Sequence, residues 1–159
     1  MPPKQLVDLS KIDLNCVLYD SGKIESINPQ RYEMRLIDRI VYLNEQTTQV
    51  VAVRDVREDE FWVRGHIPGR PLVPGVLMIE AAAQMGGFCA KMVSDPDDDR
   101  FFGFAGINDV KFRAQVKPGD QLVMCGKHID IRSRRFIFAA QGFVNGKMAF
   151  EATIIGMSV

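Results

Sequence analysis

The chain has 159 residues, enough for one domain with a sizeable core. Hydrophobic residues make up 47% and charged residues 25%, the balance of a globular fold and not of a disordered tail. Lys plus Arg and Asp plus Glu stand at 20 each, so there is no net charge to draw the chain to nucleic acid or to a membrane surface.

Residues 1–28 read as an N-terminal extension, followed by one domain over 29–159. The extension has no continuous apolar stretch, which argues against a secretory signal. Leu6, Leu9, Ile12, Leu14, Val17 and Leu18 are its candidates for docking on the core. Irregular structure or a short helix is expected there, with a turn signal at Asp20-Ser21-Gly22. Asn28-Pro29-Gln30-Arg31 opens a new unit, and Tyr32 to Tyr42 fits a strand or a helix equally well. Thr47 to Val56 is rich in β-branched residues and reads as a strand.

A helix is expected to start near Pro74-Gly75, because proline is tolerated in a first helical turn. From Val76 to Met92 it is apolar on almost every face, which marks a buried helix. Glu80, Gln84 and Lys91 interrupt it and argue against a membrane span. Gly86-Gly87 lowers helix propensity and implies a close backbone approach. Beyond the Asp-rich loop at 95–99, Phe101–Ile107, Lys111–Val116, Gln121–Asp130, Phe136–Val144 and Lys147–Met157 are candidate strands. Pro118-Gly119-Asp120 is a turn, and Asn145-Gly146 between two apolar runs is a strong hairpin signal. One buried helix followed by hairpin-linked strands gives an α+β fold, an antiparallel sheet wrapped around a long central helix.

Cys16, Cys89 and Cys125 have neither metal-ligand spacing nor an even count for a disulfide framework. They fit a reducing, cytoplasmic setting.

The residues with chemical potential cluster between 65 and 84. Gly65-His66-Ile67-Pro68-Gly69-Arg70-Pro71 is a loop stiffened by proline, and it presents a histidine. Glu80 lies in the first turns of the buried helix, where lost hydration favours the neutral acid over the charged form. A histidine and a carboxylate in apolar surroundings are the parts of an acid–base machine. A structural reading stands beside each: His66 as a turn residue, and Glu80 paired with an arginine such as Arg70. Gly75, at the helix start, has an N–H without an intrahelical acceptor, suited to an oxygen that gains negative charge. The alternative is that Gly75 merely eases the turn into the helix. The second histidine, His128, falls in a late strand and is expected at the surface.

From Asn28 to about Met157 the chain resembles the beta-hydroxyacyl-acyl-carrier-protein dehydratases, hotdog-fold enzymes of fatty-acid synthesis. Asn28-Pro29-Gln30-Arg31 and Leu36-Ile37-Asp38-Arg39 are similar to the family's opening Leu-Pro-His-Arg and Leu-Val-Asp-Arg motifs. The block from Gly65 to Gln84 resembles its active-site block, and Phe104-Ala105-Gly106-Ile107, Phe112 and Val116-Lys117-Pro118-Gly119-Asp120 its later strands and turn. The resemblance implies a homodimer with shared active sites, often a trimer of dimers. It places His66 and Glu80 as catalytic residues from different subunits, Gly75 as the holder of the thioester oxygen and Gln84 as support beside the acid. Ile67 stands where the family usually has Phe, and the N-terminal extension is longer than in compact members.

The activity so implied is reversible dehydration of a beta-hydroxyacyl thioester to the trans-2-enoyl thioester. His66 is the favoured base and Glu80 the favoured acid, with one group doing both jobs as the alternative. No metal or redox cofactor is required, since elimination moves only protons and a hydroxyl; the substrate is carried on phosphopantetheine. Ile67, Leu77, Met78, Phe101, Phe102 and Phe104 are candidates for an acyl tunnel or, alternatively, ordinary core. An acidic acyl carrier protein is the expected partner, with Arg132, Arg134 and Arg135 as docking candidates or a solvated hairpin turn. No basic–aromatic interleaving points to nucleic acid. Family members that also isomerise the product generally carry Asp at the acid position, so Glu80 favours dehydration alone. A hotdog thioesterase and a non-catalytic acyl-thioester or lipid-binding hotdog protein are the competing readings.

Overall fold

Six antiparallel strands curve around one 20-residue helix in the computed structural model, which describes residues 3–159. Met1 and Pro2, part of the expected extension, lie outside the described residues. The strands are β1 (Arg39–Asn44), β2 (Gln49–Asp55), β3 (Phe102–Phe112), β4 (Gln121–Arg132), β5 (Arg135–Val144) and β6 (Lys147–Ser158). They lie in the order β1-β2-β4-β5-β6-β3. The expected α+β architecture is the one observed. Asn145 (φ 49°) and Gly146 (φ 75°) are both left-handed, as a two-residue hairpin between β5 and β6 requires.

The helices are α1 (Ser21–Ile27) and α2 (Gly75–Ser94). Asp20-Ser21-Gly22, read as a turn, is the start of α1: the Asp20 carboxylate accepts the Lys23 N–H at 2.9 Å and caps the helix. The ambiguous stretch Tyr32 to Tyr42 divides into a 3-10 turn over Tyr32–Met34 and the first residues of β1. Phe101–Ile107 and Lys111–Val116, expected as two strands, are one strand, β3, only as far as Phe112; residues 113–116 leave the sheet as a connecting segment. The polar Asn108-Asp109 that suggested a break sits in a bulge with Asp109 at φ 54°, while pairing with β6 continues on both sides.

The helix α2 lies on the inner face of the sheet, packed mainly on β4, β5 and β6. Its residues pack with Phe136, Phe138, Phe150, Ile37 and Ile40, which explains its all-round apolarity. Gly86 is the close approach: a Cβ there would lie 2.9 Å from Phe138 Cδ1. His128, expected at the surface, is buried at this contact. Its Nε2–H donates to the Gly86 carbonyl at 3.1 Å, and its ring meets Phe136 and Phe138. Burial holds its pKa down at about 4.

The outer face has its own core of Val41, Val51, Val53, Val123, Cys125 and Phe143. The extension covers it with Leu6, Val7, Leu9, Ile12 and Leu14, whereas Val17 and Leu18 stay exposed. Gln141 fixes this strap, accepting the Leu6 N–H and donating to the Lys4 carbonyl, both at 2.9 Å.

Candidate active site

His66 stands on the turn that joins β2 to α2. Its own N–H and that of Gly65 both donate to the Trp62 carbonyl, at 2.8 and 3.2 Å. Ile67 at φ 59° and Gly69 at φ 82° then reverse the chain. A β-branched residue in the left-handed region is strained, so the strain lies directly beside the histidine. The ring Nδ1 lies 2.7 Å from the Leu72 carbonyl oxygen. A carbonyl only accepts, so Nδ1 carries the proton and Nε2 keeps a free lone pair. The next backbone bond, Val73 N–H to Val116 carbonyl at 2.8 Å, ties this loop to the segment after β3.

Gly75 is the first residue of α2, directly after Pro74. It shares a cavity of about 350 Å³ with His66, Leu72, Met78 and Phe112. A Cβ at Gly75 would lie 2.7 Å from Phe112 Cζ, so glycine is needed for the ring to close on the helix start. Basic imidazole nitrogen and helix N-terminus thus face one space, the arrangement required to remove a proton and stabilise the resulting negative charge.

Glu80 is half-buried and lines a different cavity, of about 100 Å³, with Gln84, Phe101, Phe102 and Phe104. Five residues of helix turn Glu80 roughly 140° away from Gly75, which is why the two faces do not meet in one chain. Gln84 is 4% exposed and fully engaged. Its Oε1 accepts the Leu36 N–H at 3.0 Å, which fixes the amide orientation. Its Nε2 donates to the Met34 carbonyl at 2.7 Å and to Glu80 Oε1 at 3.0 Å. The carboxyl is therefore held by a buried amide and not by an arginine. Arg70 instead reaches Gln115 Oε1 at 3.3 Å on the surface.

The structure brings Phe101, Phe102 and Phe104 to Glu80 and places Met78 beside His66. Ile67 is 46% exposed, and Leu77 packs against the main core; neither lines these two cavities. Arg132 and Arg135 at the β4–β5 turn both contact Asp130, at 3.0 and 3.4 Å, while Arg134 has no carboxylate partner among the described residues.

The sequence pattern of the FabA-like domain matches residues 28–153. The chain is 38% identical over 131 residues to the 3-hydroxyacyl-acyl-carrier-protein dehydratase FabZ of Syntrophotalea carbinolica, covering 82% of this chain and 88% of that one. The chain belongs to the FabZ-type dehydratase family. It is also 39% identical over 137 residues to the FabZ of Syntrophobacter fumaroxidans, covering 86% and 91% of the two chains. The dehydratase heterocomplex ApeI:P from Xenorhabdus doucetiae shares the fold, with a TM-score of 0.72 at 14% identity over 86% of this chain and 90% of that one.

Three features of this FabZ-type site escaped the sequence reading. The Leu72 carbonyl that sets the histidine tautomer carries no side-chain signal. The buried Arg54 on β2, joined to Glu60 at 2.7 Å, anchors the turn ahead of His66. Its signal was a lone cation in the run Val50-Val51-Ala52-Val53. Lys91 lines the Glu80 cavity, and its spacing of eleven residues from Glu80 put it on the same helix face.

Proposed function

We propose that this dehydratase converts a 3-hydroxyacyl thioester, carried on the phosphopantetheine arm of an acyl carrier protein, reversibly to the trans-2-enoyl thioester and water, a step of fatty-acid biosynthesis. One observation carries the assignment of roles: the Leu72 carbonyl fixes the Nδ1–H tautomer of His66, leaving Nε2 basic in the same cavity as the Gly75 N–H. His66 Nε2 removes the Cα proton. The electron pair moves towards the thioester oxygen, which accepts the N–H of Gly75. As the C2–C3 double bond forms, the C3–O bond breaks and the leaving hydroxyl takes the proton of Glu80 to become water. Proton exchange then returns His66 to neutral and Glu80 to its acid form. Gln84 holds the carboxyl in register. The elimination uses no metal or redox cofactor.

His66 and Glu80 line separate cavities, so the active unit is a homodimer in which His66 and Gly75 of one copy meet Glu80 of a second. The edge strand β3 supports this. It leaves Phe104, Ile107 and Phe112 each more than 40% exposed, next to Val76 at 74%. An exposed apolar edge of this kind needs covering. Assembly into a trimer of dimers extends the same proposal. The hotdog unit spans 29–159, with residues 1–28 as an extension: residues 6–14 strap its outer face, while Ile24 and Ile27 of α1 join the main core. Arg134, flanked by Arg132 and Arg135, is the proposed contact for the acidic carrier. Three unpaired cysteines support a reducing, cytoplasmic setting.

Hydration of a crotonyl thioester, followed as loss of enoyl absorbance, tests the reading. His66→Ala and Glu80→Gln are each expected to lose roughly 10²–10⁴-fold. Mixing the two inactive variants under subunit exchange restores activity, because some mixed dimers then hold one intact site. Retained activity in either single variant overturns the role assignments, and no recovery on mixing overturns the shared site. Release of free acid in place of water addition replaces dehydration with thioester hydrolysis.

A further inference from the structure

Glu80, Gln84, Gly87 and Lys91 are spaced at intervals of four, three and four residues, a single stripe along α2. All four line the Glu80 cavity, opposite Phe101 and Phe102. Gly87 keeps the middle of the stripe open: the nearest atom to a Cβ built there is Phe102 Cβ, at 3.9 Å. The aromatic walls continue past it to Lys91.

The far end is not apolar. Lys91 is only 9% exposed, and its Nζ donates to the Asp98 carbonyl at 2.6 Å. Asp98 belongs to the loop after α2 and is itself clamped by Arg100 at 2.6 Å. Lys91 therefore stands as a fixed charged post where the trough meets a second cavity, lined by Arg100 and Arg132 as well as Lys91, Phe101 and Phe102. An alkyl tail pushed against it would strip water from a cation without giving it a new acceptor, which is unfavourable. An anionic tail end gains little here, because Asp95, Asp97, Asp98 and Asp99 follow directly in the chain.

We propose that Lys91 is the chain-length stop of this enzyme, restricting it to short and medium acyl chains. The proposal rests on the reading of Glu80 as the catalytic acid at the head of the trough. Eleven residues of helix separate the two by about 16 Å at 1.5 Å per residue. The Lys91 side chain reaches onward to the Asp98 carbonyl beyond the helix end, so that distance is not shortened. At roughly 1.3 Å per methylene, estimated from single-bond geometry, the space takes at most about twelve carbons beyond C3. A tail of sixteen carbons therefore outruns it.

The test is the chain-length profile of kcat/KM on carrier-bound enoyl substrates of four, eight, twelve and sixteen carbons. Wild type, Lys91→Met and Gly87→Leu are compared, with Lys91→Leu as a second apolar variant should Met not fold. The wild-type sixteen-to-four-carbon ratio is expected to be at least tenfold below the eight-to-four ratio. Lys91→Met raises the sixteen-to-four ratio about tenfold, and Gly87→Leu lowers the eight-to-four ratio. A wild type as fast on sixteen carbons as on eight, or a ratio that neither Lys91 variant moves, overturns the stop. If Gly87→Leu still shortens the profile in that case, the trough remains the acyl path. A folded wild type inactive on every length overturns the dehydratase reading itself.

Discussion

His66 and Glu80 are held by opposite means. His66 stands on a strained loop, positioned by backbone carbonyls at Trp62 and Leu72, with Ile67 at φ 59° beside it. Such a loop cannot hold itself, so its geometry depends on anchors in the sheet: Arg54–Glu60 before the histidine and Val73–Val116 after it. Glu80 rides on a helix already fixed by packing, and one buried amide orients it. A loop site therefore concentrates its risk in distant anchors, whereas a helix site carries it in a few local bonds. The two sides are expected to fail differently.

The largest effect is expected at the loop anchor. Arg54 is 3% exposed, and burial pushes its pKa down against the pull of Glu60. Among the described residues, its Nε and Nη1 have no hydrogen-bond partner, nor does Glu60 Oε2. Glu60→Ala removes the hydrogen-bonded partner of this guanidinium, leaving only the Coulombic pull of Asp38, and costs about 3–5 kcal/mol by denaturant unfolding. Replacing both residues by apolar ones, Arg54→Met with Glu60→Leu, recovers most of the stability while the histidine loop stays loose. Imidazole NMR reads the difference directly, since the chain has two histidines, here in opposite tautomers. His66 should drift from the Nδ1–H form in the double variant. A sharp, unshifted His66 signal there would show that the loop supports itself and would erase the contrast with Glu80.

The same contrast governs what was legible in the sequence. The helix was readable because period and burial are local: Val76 to Met92 could only be a core helix, and Pro74-Gly75 marked its start. Asn145-Gly146 gave its hairpin for the same reason. His66, Glu80, Gly75 and Gln84 were named through their motif. What escaped depends on pairing between distant segments. β3 absorbs Asn108-Asp109 because β6 keeps it paired, and nothing in residues 101–116 says so. His128 is internal because the helix passes Gly86 over it, 42 residues away in sequence. The outer face is dry because Gln141 catches Leu6 from 135 residues away. The separation of His66 from Glu80 into two cavities likewise follows from helix phase and sheet curvature together.

His128 supplies the next largest effect, on the helix side. Its pKa is about 4 in the folded protein, below the ordinary value of 6.5, and burial among Phe136 and Phe138 is the cause. Between those two values the unfolded chain binds a proton that the folded chain refuses. The stabilisation is thus complete above about pH 6.5 and is lost as the pH falls towards 4, on the order of 3 kcal/mol in total. Urea midpoints measured from pH 7 down to 4.5 should decline along this course, and His128→Leu should flatten it. An unchanged slope in that variant would move the acid sensitivity elsewhere and leave the helix side without this liability.

The smallest effect is the most local one. Gln84→Met keeps the length of the side chain but leaves the Leu36 N–H and Met34 carbonyl without their present partners, for about 1–3 kcal/mol of stability. Because packing on β4, β5 and β6 fixes α2, Glu80 stays at the same point of the helix and loses only its tether. Turnover should therefore fall by about tenfold, far less than for Glu80→Gln, while KM for the crotonyl thioester changes little. Gln84→Glu separates tether from charge. It still accepts the Leu36 N–H, yet it sets a second carboxyl where an amide donated to Glu80, and it turns the Met34 carbonyl contact repulsive unless it is protonated. Its activity should fall below that of Gln84→Met at neutral pH. If both variants turn over as fast as wild type, the helix backbone alone orients the acid, and the amide network serves only to join Met34 and Leu36 to α2.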